Sequence, residues 1–184
     1  EFDVASVPEF FREGAAVHDT MHPDRIVIGA ESERALGLLR NLFEPILAPV
    51  VVTDIATAEV IKHASNSFLA TKISYINAIA QICERAGADV TVVARAMGLD
   101  PRIGQAFLDA GIGYGGSCFP KDVKAIIHTA KATGVDPIVL DAVEKRNQRQ
   151  KGRMFDHITE KYGSDLTGKI FAIWGLAFKP GTDD

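Results

Sequence analysis

The sequence predicts a mainly α-helical chain, a long helical segment flanked by partial α/β elements. Three observations lead there. From Asp54 to about Lys161, apolar residues recur at helical spacing, interrupted by glycines and prolines. Residues 1–53 alternate short β-branched runs with one amphipathic stretch. Residues Lys169 to Gly175 (Lys-Ile-Phe-Ala-Ile-Trp-Gly) have the composition of a buried strand.

In the first segment, Arg25 to Gly29 is strand-like, Ser32 to Leu47 has helical spacing, and Pro49 to Thr53 is a short β-branched strand. Pro8 to Gly14 is expected to form a short helix, with Pro at its start and Gly at its end. Asp54 or Thr53 can cap a helix that runs to Ala86 and stops at Gly87. Further helices are expected over Val90 to Met97, Pro120 to Thr133 and Pro137 to about Lys161. The domain division expected is 1–53, 54–161 and 168–184. A strand at 169–175 with no helix after it cannot cover both faces, so the chain is expected to be a piece of a longer protein; the alternative is a terminal strand docked on its own domain.

The chain has 184 residues, 47% apolar and 24% charged, with a net charge of −4. This balance argues against non-specific nucleic-acid binding, which needs a basic field. The most apolar stretch, Phe68 to Ile82, carries Lys72, Asn77 and Gln81, so a membrane partner is not expected. Two cysteines in different settings suggest no disulfide framework, which fits a reducing cytoplasm.

Gly111-Ile-Gly-Tyr-Gly-Gly-Ser-Cys-Phe-Pro-Lys-Asp122 is the segment richest in possible chemistry. Its G-x-G-x-x-G at Gly111, Gly113 and Gly116 lacks the preceding strand that a dinucleotide fingerprint needs. Cys118 is expected at a helix start, with Lys121 close by. Helix N–H groups and a nearby cation are the setting of a working thiolate. Asp122, four residues on, can face the same way. Cys118 is then a covalent nucleophile or a small buried residue in a turn. Cys83 falls on an apolar helix stripe and is expected in the core.

Glu9 and Glu13 stand i, i+4 in the expected short helix, where they would share one face as a general-base pair or as a solvated acidic face. Lys62 and Asn66 are i, i+4 beside an apolar stripe, either functional or an ordinary surface pair. His18 and His22 flank Asp19, but no further ligands suggest a metal site. Lys145, Arg146, Arg149, Lys151 and Arg153 form a basic run, either an anion patch or a solvated helix face.

Several segments together resemble one family. They are Pro8 to Gly14, His22 to Gly29, Ala58 to Ser74, Arg102-Ile-Gly104 with Phe107-Leu108, Gly113 to Asp122, and Trp174 to Asp184. In this order they are similar to the UDP-glucose/GDP-mannose dehydrogenases. Phe119 and the run Ser65 to Ala70 look more like the UDP-glucose branch. The resemblance implies a Rossmann-like NAD domain, a helical central domain that forms a homodimer through the long helix, and a C-terminal nucleotide-sugar domain. This chain would hold the last part of the first, all of the second and the first strand of the third.

The resemblance implies NAD-dependent, two-step oxidation of UDP-glucose to UDP-glucuronate by the parent protein, with Cys118 holding a thiohemiacetal and then a thioester; the alternatives are a dehydrogenase for GDP-mannose or UDP-N-acetylmannosamine, or a dimerisation scaffold without catalysis. Glu9 would help activate water, and Lys62 would stabilise the oxyanion. Asn66 and Asp122 would position a substrate hydroxyl and a catalytic water. Glu13 and Lys121 would lie on the cofactor side. Phe107, Leu108 and Gly115 would line the sugar-nucleotide site. Arg102 would reach a neighbouring subunit's substrate, and Lys179 would contact substrate from the third domain. Val7 stands where the family carries a polar residue able to cap the short helix.

Overall fold

The computed structural model describes residues 2–177, 179, 181 and 182. The C-terminal resemblance also includes Phe178, Pro180, Asp183 and Asp184, which lie outside the described residues. The chain divides into two units, Glu1–Ser65 with Lys179–Asp184, and Asn66–Phe178.

The first unit is built on a three-stranded sheet. Its strands are β1 (Ala5–Ser6), β2 (Ile26–Ala30) and β3 (Val50–Thr53). β1 pairs antiparallel with β2, and β2 pairs parallel with β3, Ile26 opposite Val50. Parallel neighbours need a crossover, and α2 (Glu33–Phe43) supplies it. Ser32 caps α2 by accepting from the Ala35 amide at 3.3 Å. The central strand is the buried one, with Ile26, Val27 and Ile28 at its heart.

The long helix α3 (Ile55–Ala86) starts in this unit. Asp54 anchors its first turn, accepting from the Thr57 amide and hydroxyl, each at 2.7 Å. Those bonds hold the Asp54 carboxyl below the ordinary carboxylate range. Gly29 shows why α3 belongs here at first. A Cβ at Gly29 would stand 2.5 Å from the Ala58 Cβ, so only glycine lets strand and helix approach so closely. The first compact unit therefore takes in the opening turns of α3, as far as Ser65.

The second unit contains the rest of α3 with α4 (Val90–Gly98), α5 (Phe119–Ala132) and α6 (Ile138–Tyr162). Its core has two clusters. Ile76, Ala94 and Leu108 make one; Ala70, Tyr114, Val123 and Val143 make the other. Cys83 is buried, as its stripe position predicts.

Three local expectations change. Residues 8–14 form no helix, although α1 (Ala16–Met21) follows directly. The Phe11 amide donates to its near neighbour Glu9 at 2.9 Å, and the Arg12 amide donates to Asp19 at 2.8 Å. Side chains thus take the amides that helical bonds would order, a competition typical of carboxylates near turns. With no helix to start, Val7 has no cap to lose. Finally, 169–177 forms no ladder among the described residues, and Ile170, Ile173, Trp174 and Leu176 are exposed. A strand pattern becomes a strand only against a partner edge.

Candidate active site

In the first unit, the segment 8–14 carries the predicted carboxylates. Glu9 and Glu13 do not share a helix face, because there is no helix. Lys62, from α3, reaches Glu9 instead. Its ammonium donates to the Glu9 carboxylate at 2.9 Å and also to the Glu9 carbonyl oxygen. Lys62 is mostly buried, its side chain 16% exposed. A cation fixed in that way is a preorganised electrostatic element. Phe10 adds to it. The Arg25 guanidinium lies 3.8 Å from the Phe10 ring centre and the Lys62 ammonium 5.5 Å. Glu13 is exposed, and its carbonyl oxygen accepts from Lys179 at 2.6 Å.

Arg12 and Asp19 set the course of this segment, and the sequence alone does not single them out. Arg12 donates through Nε at 2.9 Å and Nη2 at 2.6 Å to the two Asp19 oxygens, a bidentate fork. Hydrogen bonds from the Arg12 side chain and amide hold the Asp19 carboxyl far below the usual carboxylate range. A depressed carboxyl adds stability above its unfolded pKa, lost as pH falls through the folded one. Asp19→Asn is therefore expected to lower the urea midpoint at neutral pH. The deficit should shrink well below the ordinary carboxylate range; an equal deficit at both extremes would contradict the ion pair.

In the second unit, Cys118 is the N-cap of α5 and is exposed. Exposure removes the alternative of a small buried residue. The Ser117 hydroxyl lies 3.6 Å from the sulfur. Asp122 donates its amide to the Cys118 carbonyl at 2.9 Å, closing the first turn, with Pro120 in that turn. The Asp122 side chain is buried and accepts from the Asn66 amide at 2.5 Å. The contact between these two side chains is not expected from the sequence, which places them 56 residues apart. Lys121 is exposed, with its ammonium 3.6 Å from Asp122.

The other predicted ligand-facing residues divide. Phe107 adopts φ 65°, the left-handed region that bulky side chains avoid, and meets Phe119 edge-on. Strain of that kind is held in place only by surrounding structure and clusters at functional sites. Gly115 is half-buried in the same loop. Leu108 is core, 2% exposed as a whole residue and packed with Ile76 and Ala94. Arg102 projects outward but is held by Asp100 in a bidentate pair at 2.6–3.2 Å.

The glycine loop rests on a buried polar platform that sequence reasoning missed. Asn147 accepts from the Tyr114 amide at 2.8 Å and donates to the Tyr114 carbonyl at 3.0 Å. Asn77 accepts from the Gly111 amide at 2.8 Å, and Gln150 donates to the Gly111 carbonyl at 2.5 Å. The Tyr114 hydroxyl donates to Glu144 at 2.9 Å, and burial with that carboxylate pushes the phenol above its usual range. A signal was available. Val143, Asn147 and Gln150 follow one another at helical core spacing, so polar residues occupy an apolar stripe.

The same geometry tests the loop as a nucleotide cradle. Gly113 faces Asn147, whose oxygen would lie 2.5 Å from an added Cβ. That face is filled by protein, and no strand leads into the loop among the described residues. Glu13 and Lys121, the two residues expected on the cofactor side, are each exposed in their own unit.

Residues 56–149 match the central domain of the UDP-glucose/GDP-mannose dehydrogenase family, and residues 1–47 match that family's NAD binding domain. The chain is 51% identical over 183 residues to the UDP-glucose 6-dehydrogenase TuaD of Bacillus subtilis, covering 100% of this chain and 40% of that protein. It is 50% identical to a UDP-glucose 6-dehydrogenase of Pseudomonas aeruginosa, covering 98% of this chain and 41% of that one. A solved UDP-glucose dehydrogenase from Pyrobaculum islandicum superposes with a TM-score of 0.87 at 43% identity, over 89% of this chain and 38% of its own. The chain thus spans about two fifths of the length of the curated relatives it matches. A Cys-bearing turn at the start of α5, an Asn–Asp pair beneath it and the two family matches lead to one conclusion: the chain belongs to the UDP-glucose/GDP-mannose dehydrogenase family.

Proposed function

We propose that the protein to which this chain contributes oxidises UDP-glucose to UDP-glucuronate with NAD, through a covalent intermediate on Cys118. The observation that carries this is the exposed thiol at the start of α5, followed by a buried Asp122 held by Asn66. NAD, when bound, accepts the hydrides. In the first oxidation C6 of the sugar loses a hydride and its hydroxyl proton. The Cys118 sulfur then adds to the aldehyde carbon, forming a thiohemiacetal as its oxygen takes a proton. Loss of a second hydride and that proton gives a thioester, and water cleaves the C–S bond to release uronate and thiol. Two NAD are reduced per sugar.

Lys62 offers an ammonium for the oxyanion that develops, and its bonds to Glu9 hold it ready. Glu9 helps activate the hydrolytic water. Asn66 and Asp122 orient the substrate hydroxyl and a water. Phe107, Leu108 and Gly115 line the sugar-nucleotide site. Glu13 and Lys121 serve the cofactor side, Arg102 serves a neighbouring subunit's substrate, and Lys179 serves substrate from a third domain that begins in 168–184. The reaction belongs to a cytoplasmic enzyme. UDP-glucose is favoured over GDP-mannose or UDP-N-acetylmannosamine by relatives of about half identity named for it. Assaying the full-length enzyme with each nucleotide sugar tests this. Two NADH per UDP-glucose are expected, and NADH from GDP-mannose alone overturns it.

The working unit is a homodimer formed along α3. Phe68, Tyr75 and Ile82 repeat every seven residues and are 66%, 52% and 61% exposed. The smaller Thr71 and Ala78 alternate with them, giving the 3–4 spacing of a helix-packing seam. Exposed apolar rows of that regularity mark protein contacts. Phe68→Glu with Tyr75→Lys is expected to halve the mass measured by light scattering. An unchanged mass sinks the assignment of α3 as the seam.

A further inference from the structure

We propose that the cavity between the C-terminal half of α3 and the middle of α6 binds a phosphate-class oxyanion. It has a volume of about 390 Å³ and lies wholly within the second unit. Arg146, Arg149 and Arg153 line it from α6, at i, i+3 and i+7, which puts them on one helix face. Gly152 leaves its wall open, and Gln81 and Gln148 bring amides to it.

The charges decide what it takes. Arg153 is compensated: Glu84 lies at 2.9 Å, Glu160 at 3.6 Å and Asp156, which also lines the cavity, at 3.9 Å. Arg146 is not. Its guanidinium donates to the Asn77 carbonyl at 2.7 Å and to the Gln150 amide oxygen at 2.8 Å, both neutral. Gln81, with its amide oxygen turned inward, accepts from it at 3.1 and 3.3 Å, again without charge. Its Nε is buried with no acceptor. Burial and the nearby Arg149 and Arg153 push the Arg146 guanidinium below the usual arginine range. Arg149 makes no ion pair among the described residues. Two uncompensated guanidinium groups at one cavity, one of them part-buried, are stabilised by an anion that accepts from both. A phosphate group has the charge and the several oxygens for this. The site also adjoins the loop platform, because Gln150 accepts from Arg146 and donates to Gly111.

A structural strut would need Arg146 alone, so Arg149 is the discriminating position. Inorganic phosphate is titrated into the protein against sodium chloride at matched ionic strength, with Tm as the readout. A saturable rise with phosphate, beyond that with chloride, is expected. Arg149→Gln should leave Tm in chloride unchanged and weaken half-saturation about tenfold, the loss of one charge-assisted contact. Arg146→Lys, which keeps charge but loses the fork, should also weaken it. Phenyl phosphate that competes with inorganic phosphate assigns the site to a terminal phosphate, and failure to compete assigns it to the free ion. Equal stabilisation by chloride, or an Arg149→Gln titration that matches the original protein, overturns the proposal.

Discussion

Replacing Cys118 with alanine is expected to lower uronate formation by the full-length enzyme about 10³- to 10⁴-fold or more, the scale on which loss of a covalent nucleophile is felt. The first oxidation needs no thiol, so aldehyde should still form. A hydrazine included in the assay would trap it, with one NADH per trapped sugar rather than two per uronate. The structure favours so large an effect because no second thiol stands beside Cys118 among the described residues. Cys83 is buried on α3, and Ser117 offers a weaker nucleophile 3.6 Å from the thiol. Cys118→Ser separates the two parts of the role. A hydroxyl can add to an aldehyde, but the resulting oxygen ester hydrolyses more slowly than a thioester. It should therefore accumulate a bound intermediate, visible by intact mass. Uronate formation by Cys118→Ala at the original rate would remove Cys118 from the chemistry.

Most of the helical scaffold was legible because its cues are local. α3 begins one residue after Asp54 and ends at Ala86, where capping and Gly87 put the boundaries. α4, α5 and α6 start and stop within about two residues of expectation for the same reason. Segment 8–14 was misjudged because i, i+4 spacing describes carboxylates in a helix without testing whether a helix forms. Its amides are taken by Glu9 and Asp19, and the second of these lies seven residues away. Segment 169–175 shows the same limit for strands, whose pattern needs an edge to pair with.

The site itself was partly legible. Cys118 announced itself through its glycines and Pro120. Asn66 and Asp122 are 56 residues apart, and only the fold brings their side chains together. The Asn77, Asn147 and Gln150 platform was hidden for a different reason. Polar residues on a helix are read as solvent-facing, yet these three are buried against the loop backbone. Backbone groups in a glycine-rich loop have few neighbours of their own to bond. The protein supplies them from α3 and α6.

That platform gives the second large effect. Asn147→Leu keeps the approximate volume but removes both bonds to Tyr114. It leaves one buried N–H and one buried C=O without partners, each costing about 1–3 kcal/mol. A loss of about 2–5 kcal/mol in unfolding free energy is expected, read from urea titration. Gly113→Ala acts from the other side. Its φ of 99° is costly for any residue with a Cβ, and that Cβ would meet the Asn147 oxygen at 2.5 Å. The two contributions can be separated. Backbone strain alone costs about 1–2 kcal/mol, and the clash adds to it. In an Asn147→Ala background the clash disappears and the strain remains, so Gly113→Ala should cost less there than in the original chain. Residues in contact couple in this way. Strict additivity of the two changes would mean that Asn147 does not press on Gly113. A coupled pair would instead show that the loop before Cys118 is held by direct contact with α6, so that loosening it lowers kcat while the thiol itself is untouched.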